Sequence, residues 1–347
     1  MSVALAGGTA IEWADYTFNP WWGCRKVSPG CGRCYAATIA NHRQPGKQLW
    51  GAGHDFRFFA DPHWALPQRW ARVAPAKLGR RPRVFCASMA DVFEERPELD
   101  EHRERLFDHT IEATPELDWL ILTKRPEFAR DWLAAFYDGD HRRSSLPPNV
   151  WLGVSIENSR FTWRADVLRQ IPAAVRFISA EPLRGSLYAV ACGAMTAKGR
   201  CTLSPYHHGR CRPGDVAPSF RQPLELRDID WLICGGESGG RGSHPMHPEW
   251  ARALRAACEK RAIPFFFKQW GSYGPTDGDG IKAGPGVYPG DICWSLEPEM
   301  RAVAADDYVC YPNESDGEHL RYHGIEAGSG GHLLDGRSYR QFPPKGD

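Results

Sequence analysis

The sequence predicts an α/β fold, a full or partial (β/α) TIM-type barrel with an inserted Cys/His-rich loop and a loop-rich C-terminal extension. Short apolar runs, each ending in small or polar residues, are typical of strands. These runs lack alternation, as expected for parallel strands that are covered on both faces. Amphipathic helical stretches separate them, and this order predicts parallel βαβ units.

Seven strands are predicted in chain order. The first lies near residues 17–22, and the other six are 83–87, 118–123, 150–154, 175–179, 230–234 and 264–268. Helices are predicted at 97–113, 127–137, 160–171 and 248–262, and Pro115, Pro172 and Pro264 would end three of them. An open doubly wound sheet is the alternative, but no GxGxxG motif follows the first strand, which weakens a dinucleotide-binding version.

The spacing of these elements predicts the domain organisation. Residues 1–270 are assigned to the barrel, with the Cys/His-rich insertion at about 185–225, where the gap between strands exceeds one helix and two loops. Residues 271–347 are rich in Gly, Pro and Asp and are assigned to an extension packed on the barrel. A chain of 347 residues that is 42% hydrophobic can form a large core.

Composition limits the location and the classes of partner. The formal net charge of +1 predicts no partner by itself. No signal peptide and no apolar stretch of membrane-spanning length is recognisable, so we expect a cytoplasmic protein with no membrane contact. In that compartment the eleven cysteines are expected to be metal ligands or buried thiols, not disulfides.

Three cysteines are grouped near the N-terminus. Cys24, Cys31 and Cys34 have the form C-x6-C-x2-C, and neighbouring cations such as Lys26 favour the thiolate form. Iron–sulfur clusters usually take four cysteines, so three without an obvious fourth suggest a cluster with one open iron. The alternative is a structural zinc site with a distant fourth ligand such as His42, although zinc ligands usually come in pairs.

This triplet resembles the cluster motif of the radical S-adenosylmethionine superfamily. The usual spacing there is C-x3-C-x2-C with an aromatic residue before the last cysteine, whereas here the first spacer has six residues and Tyr35 follows the last cysteine. The resemblance implies a 4Fe–4S cluster on the three cysteines and S-adenosylmethionine at the open iron. It further implies reductive cleavage to a 5′-deoxyadenosyl radical and an electron donor of the flavodoxin or ferredoxin type.

Nearly the whole chain is similar to an uncharacterised phage-type three-cysteine protein family. The similarity rests on the runs IEWADYTFNPWWGCRKVSPGCGRCYA, LTKRPE, GVSIEN, ISAEPL, WLICGGESG, HPEWARALRAACEKRAIPFFFKQWG and HLLDGRSYRQFP. That family occurs in phages and bacteria and is thought to be radical S-adenosylmethionine-like. The resemblance supplies no substrate.

Polar residues follow the predicted strands, where β/α barrels build their sites. By the resemblance, Ser88 to Asp91 occupies the place of the amine-binding motif, and Lys124 or Arg125 pairs with a carboxylate. The other predicted cofactor-binding residues are Ser155, Glu157, Gly235, Gly236 and Glu237. For any one of them, a helix cap or a surface ion pair is the alternative.

Three residues at later strand ends are candidates for catalysis. Glu181 and Lys268 bring a carboxylate and an amine to the same edge. Cys234 is considered as a hydrogen-atom donor, and a buried inert thiol is the alternative.

The insertion carries a second candidate metal site. Its ligands would be Cys192, Cys201, His207, His208 and Cys211. Cysteine and histidine in a loop too polar to form its own core suit a structural zinc. A flexible insertion with free thiols and an auxiliary iron–sulfur cluster are the alternatives.

The segment between Arg43 and Arg83 is the basis for a substrate prediction. It has nine Lys or Arg and two Asp, a local charge of +7, with six interleaved Trp or Phe. Cations contact phosphates and aromatic rings stack on bases, so a nucleic acid or nucleotide is the first substrate class, to be modified or repaired. The alternatives are a helix with a solvated basic face, a peptide or small-metabolite substrate, and a zinc protein that binds nucleic acid without radical chemistry.

Overall fold

The computed structural model describes residues 8–138, 146–188, 223–239, 243–244, 246, 248–276, 321–324 and 331–344. None of the helices within these ranges combines the length and the apolar character needed to cross a lipid bilayer. The predicted insertion at about 185–225 falls largely outside the described residues, and so do all five of its candidate zinc ligands.

A curled parallel sheet of seven strands forms a half-barrel. Its strands are β1 (Tyr16–Thr17), β2 (Arg83–Cys86), β3 (Asp118–Thr123), β4 (Val150–Ser155), β5 (Val175–Ala180), β6 (Trp231–Gly235) and β7 (Phe265–Gln269). The strands lie side by side in chain order, without the reversal of a doubly wound sheet. This confirms the α/β class, and the barrel takes its partial form.

Helices connect the strands at most of the predicted positions. They are α1 (Tyr35–Arg43), α2 (Asp61–Trp64), α3 (Leu66–Leu78), α4 (Asp100–Glu104), α5 (Pro126–Asp138), α6 (Trp163–Leu168) and α7 (Pro248–Lys260). Short 3-10 turns cover Pro29–Cys31, Pro97–Leu99 and Ser159–Phe161, and a π-helix covers Arg105–Ile111. The helix predicted at 97–113 is therefore one helical stretch built from three helix types.

The prediction of a single first strand near 17–22 was wrong in its extent. Only Tyr16–Thr17 joins the half-barrel, whereas Trp21–Trp22 pairs antiparallel with Arg57–Phe58. Pro20 separates the two pieces, because it has no N–H to continue a ladder. Two further antiparallel ribbons pair Tyr273–Thr276 with Arg321–Gly324 and Leu333–Leu334 with Arg337–Ser338.

Both faces of the half-barrel are buried, which explains the apolar runs without alternation. The convex face packs against the helices. The concave face is filled by aromatic rings, including Trp13 near the N-terminus and Phe342 near the C-terminus. The ring of Trp13 lies 4.5 Å from that of Phe85, and the ring of Phe342 lies 5.3 Å from that of Trp231. These rings fill the concave face, and a cavity lies beyond them, at the carboxyl ends of the strands.

Candidate functional site

A cavity of about 390 Å³ opens at the carboxyl ends of the strands. All three cysteines of the triplet line it, as do four predicted residues that follow β2 and β3, namely Ser88, Asp91, Lys124 and Arg125. Five more come from β4 to β7, namely Ser155, Glu181, Gly236, Glu237 and Lys268. The structure therefore brings most of the predicted site residues together around one cavity.

The three cysteines are free and half-buried, in the segment 24–34, here called the cysteine loop. The other cysteines within the described ranges, Cys86, Cys234 and Cys258, are buried in the core and do not line the cavity. Burial raises the pKa of the Cys24 thiol, and Arg125, whose Nη1 lies 3.8 Å from Cys24 Sγ, opposes that rise.

Asp91 accepts four hydrogen bonds from the protein itself. Its donors are the backbone N–H groups of Phe93 and Lys124, the Thr123 hydroxyl at 2.7 Å and Arg125 Nη1 at 2.8 Å. Burial would raise its pKa, but Arg125 and the other donors outweigh burial and lower it. The carboxylate predicted to bind the methionine amine is thus an ionised partner of Arg125.

Arg125 and Glu94 hold the main chain of the cysteine loop from two sides. Arg125 Nη2 donates to the carbonyl of Arg25 at 2.7 Å, and the Arg25 N–H donates to Glu94 Oε2 at 2.8 Å. Glu94 is 1% exposed, and its other oxygen lies 3.5 Å from His54 Nε2. The two peptide units that flank the Cα of Arg25 are consequently fixed by two buried charges.

Glu157 supports the same loop from beneath. It is fully buried, accepts a short hydrogen bond from the Ser28 hydroxyl, and pairs with Arg164 at 3.0 Å and Lys124 at 3.3 Å. Burial would raise its pKa, but Lys124, Arg164 and Ser28 lower it. Lys124 also donates to Ser155 Oγ at 2.6 Å, so its amine already has protein partners.

Gly30 lies directly on Glu157. A Cβ at this glycine would come within 2.6 Å of Glu157 Cγ and 2.7 Å of its Oε1. The loop can approach the buried carboxylate this closely only because Gly30 has no side chain.

Several residues of this framework were missed from the sequence. Arg184 Nη1 donates to the Pro29 carbonyl at 2.6 Å, and Asn19 Oδ1 accepts the Met89 N–H at 2.7 Å. Glu94 and Arg164 were missed as well. Asn19 and Arg184 each follow a strand of the half-barrel closely, which is the signal that could have identified them.

The cavity wall beyond β5 to β7 carries the remaining charged candidates. Lys268 and Glu181 form a close ion pair, and both are about one-fifth exposed. Glu237 is 4% exposed, and its Oε2 accepts the His244 N–H at 2.6 Å. Its Oε1 has no hydrogen-bond partner among the described residues and lies 4.0 Å from Arg184. One carboxylate oxygen at the cavity wall is therefore unsatisfied.

The glycines after β6 allow close protein contacts. A Cβ at Gly236 would lie 1.9 Å from the Trp270 carbonyl oxygen, and one at Gly235 would lie 3.2 Å from Glu181 Cδ. Their expected role was to let backbone approach an adenine or ribose. In the structure their neighbours are instead parts of the protein: Gly236 lies against the main chain after β7, and Gly235 lies against the Glu181 side chain.

Cys234 lies on the convex face of the sheet. It is fully buried, its Sγ is 4.0 Å from Met246 Sδ, and burial raises its pKa well above the ordinary value. It does not line the cavity, so a hydrogen-atom donor at this position is not supported and the buried inert thiol is the better interpretation.

The geometry of the ligands differs from that of a single-ion site. Within the described ranges no three His, Cys, Asp or Glu side chains are grouped closely enough to hold one metal ion. His42, considered as a fourth zinc ligand, is exposed in the last turn of α1.

The segment between Arg43 and Arg83 does not form one basic surface. Trp64 and Trp70 are buried in the core. Arg80 pairs with Asp15 at 2.7 Å and Arg81 with Asp118 at 2.9 Å, at the amino ends of the strands and thus opposite the cavity. Much of the predicted charge is therefore neutralised away from the site.

Comparison with solved structures finds spore photoproduct lyase. A mutant of that lyase, with bound AdoMet and dinucleoside spore photoproduct, is 16% identical in sequence to this chain and matches it with a TM-score of 0.36. The match covers 71% of this chain and 62% of the lyase chain. This chain thus spans less than two thirds of its length. A second mutant of the same lyase matches at 16% identity and a TM-score of 0.38, covering 81% of this chain and 71% of that one.

No curated protein matches the sequence. A family model described as "Protein of unknown function (DUF5131)" matches residues 8–343. The chain therefore belongs to the DUF5131 family.

Proposed function

We propose that this protein is a radical S-adenosylmethionine enzyme in which Cys24, Cys31 and Cys34 hold a 4Fe–4S cluster with one iron left open. One observation supports this above the others. Three free thiols line a single cavity at the carboxyl ends of a parallel half-barrel. That edge is where β/α folds carry out their chemistry.

The residues fit such a cluster. A [4Fe–4S] cluster usually has four thiolate ligands, and the other described cysteines are buried elsewhere, so three ligands leave one iron available. A single zinc ion bonded to thiolates at about 2.3 Å would require sulfurs within about 4 Å of one another. Among the described residues the three thiols are not grouped closely enough to hold one metal ion, which does not favour the zinc alternative.

When bound there, the cluster and S-adenosylmethionine supply a 5′-deoxyadenosyl radical, which can attack unactivated C–H bonds that acid–base chemistry cannot reach. The chain itself holds the cysteine loop, with Arg125 on the carbonyl and Glu94 on the N–H of Arg25, and Glu157 on the hydroxyl of Ser28. Arg125 also offsets negative charge beside Cys24.

The rest of the wall serves the ligands. Glu237 Oε1 is an unsatisfied acceptor that an amine or hydroxyl of a bound ligand would satisfy. Lys268 and Glu181, paired and partly exposed, are the groups that can hold or move a proton at the reacting end of the cavity. The apolar floor, which includes Trp13 and Leu122, excludes water from beneath.

We propose a nucleic acid or nucleotide as the substrate class, with modification or repair as the outcome. The support is the exposed basic residues beside the cavity, which are developed in the next subsection. A peptide or small-metabolite substrate would use the same cluster and cavity and is the alternative.

The test is anaerobic reconstitution with iron, sulfide and reductant, followed by measurement of 5′-deoxyadenosine. Wild-type protein should bind about four irons and four sulfides per chain and form the product. Cys24→Ala should lose both properties. Cys258→Ala is the matched control, since that thiol is buried in the core and should leave both unchanged.

Product formation by the Cys24, Cys31 and Cys34 variants alike would refute the assignment. So would a colourless wild-type protein that holds only zinc at its amino-terminal thiols. The thermal melting transition separates the two explanations of a silent variant, because a misfolded protein loses that transition whereas a folded ligand variant keeps it.

A further inference from the structure

We propose that the surface around the cavity mouth binds the backbone of a single-stranded nucleic acid; this deepens the proposed function and rests on it for the chemistry that follows. The surface, here called the basic rim, shares only Arg43 and Lys47 with the basic segment 43–83. Between Asp15 and Asp55 the chain has five Lys or Arg and no Asp or Glu, a local charge of +5; these residues are Arg25, Lys26, Arg33, Arg43 and Lys47.

All five side chains are exposed. Three belong to the cysteine loop itself. Lys47 lies two residues before Leu49, whose carbonyl accepts the Cys24 N–H at 3.1 Å, and Arg43 ends the helix that begins beside Cys34. No carboxylate of the described residues pairs with the side chains of Arg25, Lys26, Arg43 or Lys47. Arg25, Lys26, Arg43 and Lys47 thus remain available to anions, on the cysteine loop and on the segments that adjoin it.

A chain of phosphates is the partner that fits this arrangement. Cations spread over a loop, a helix end and an adjoining segment match an extended polyanion. An acidic protein would also be attracted, but a protein interface needs an apolar contact patch. The exposed apolar side chains of the cysteine loop and its flank, Val27 and Tyr35, both line the cavity. They are placed to meet something that enters the cavity.

The same residues indicate a single strand. Tyr35 is 50% exposed, and its hydroxyl donates to the Ser88 carbonyl at 2.9 Å, which fixes the ring at the cavity mouth. A fixed, exposed aromatic ring is a stacking surface for a base. A base inside a duplex cannot enter a recessed cavity, so the strand must be unpaired or the base extruded.

The test uses anaerobically reconstituted protein and labelled single strands of DNA and RNA about 20 nucleotides long, followed by fluorescence anisotropy at about 50 and about 200 mM salt. Arg43→Gln with Lys47→Gln should make the slope of log affinity against log salt less steep by about 1.4, which is about 0.7 per lost phosphate contact. Arg69→Gln with Arg72→Gln is the matched control. It removes the same charge from exposed positions on α3 and should leave the slope unchanged.

A second pair of variants tests the ring. Tyr35→Phe keeps the stacking ring and loses only the hydroxyl that fixes it, so it should weaken binding less than Tyr35→Leu, which should weaken binding about fivefold or more. A slope that Arg43→Gln with Lys47→Gln does not change, or equal binding of a matched duplex, would overturn the proposal. So would a loss of reduction by flavodoxin in that double variant while strand binding persists.

The same preparation keeps this proposal separate from the proposed function. Wild-type protein is assayed for 5′-deoxyadenosine with chemical reductant and no nucleic acid. Cleavage without strand binding refutes the basic rim alone. Strand binding with no cleavage and no iron supports the basic rim and refutes the radical chemistry.

Discussion

Replacing Gly30 with alanine should disturb the cysteine loop through one contact. The new Cβ would lie 2.6 Å from Glu157 Cγ, about 0.8 Å inside the 3.4 Å at which ordinary van der Waals contact begins. Glu157 cannot retreat, because it is fully buried and held by Ser28, Lys124 and Arg164. The φ of Gly30 lies outside the left-handed region, so the alanine is opposed by the contact and not by backbone strain.

The loop must therefore move, and it carries the thiols with it. Overpacking of this kind costs about 1–3 kcal/mol of unfolding free energy. Urea unfolding of the apo protein measures that cost, and iron per chain after anaerobic reconstitution measures the displaced ligands. We expect both to fall in Gly30→Ala.

Gly32→Ala is the matched control within the same loop. Gly32 has a helical φ of −60°, and a Cβ there would lie 3.1 Å from the Pro29 carbonyl oxygen, which a shift of a few tenths of an ångström relieves. It should keep most of its iron. The double variant Gly30→Ala with Glu157→Ala should have nearly the same free energy of unfolding as Glu157→Ala alone, because the side-chain atoms that would collide with the new Cβ are gone. If Gly30→Ala costs the same with and without Glu157, the contact is not the cause.

Three further predictions concern the charged framework. Asp91→Ala should lower the free energy of urea unfolding by about 3–5 kcal/mol, because Arg125 loses its closest carboxylate while buried. The pKa of Glu157 is lower in the folded than in the unfolded protein, so its charge stabilises the fold fully above the unfolded pKa of about 4.3, and this stabilisation is lost as pH falls through the folded pKa. The free energy of unfolding of Glu157→Gln should therefore fall less steeply with decreasing pH than that of the wild type. Lys268→Met should change stability by about 1 kcal/mol or less, since its partner Glu181 is partly exposed, yet should lower 5′-deoxyadenosine formation in the same preparation.

The half-barrel could be predicted because its signal is local. A strand buried on both faces must be apolar at consecutive positions, and runs such as 118–123 and 150–154 satisfy that condition within a few residues. The polar residue that ends such a strand is equally local. Hence most of the predicted residues, from Ser88 to Lys268, were found around one cavity.

The roles of those residues were harder to predict, because they depend on distant partners. Glu157 meets Ser28 across 129 residues, and Arg184 meets Pro29 across 155. A carboxylate after a strand gives no local sign of whether it faces a ligand or a loop. Cys234 shows the same limit, because an apolar run without alternation does not tell which of its residues face the helices.

The six-residue spacer between Cys24 and Cys31 has a structural reason in these distant contacts. Its residues make four hydrogen bonds to residues that follow the strands, through the N–H and carbonyl of Arg25, the Ser28 hydroxyl and the Pro29 carbonyl. The partners follow β2, β3, β4 and β5 in turn, so the spacer crosses four strand ends before Cys31 is reached. These contacts extend from Arg25 to Pro29, which is five residues, so a three-residue spacer cannot include all of them. The departure from the usual spacing and the charged strand ends are thus two parts of one arrangement, in which the half-barrel fixes the loop mainly through the residues between Cys24 and Cys31.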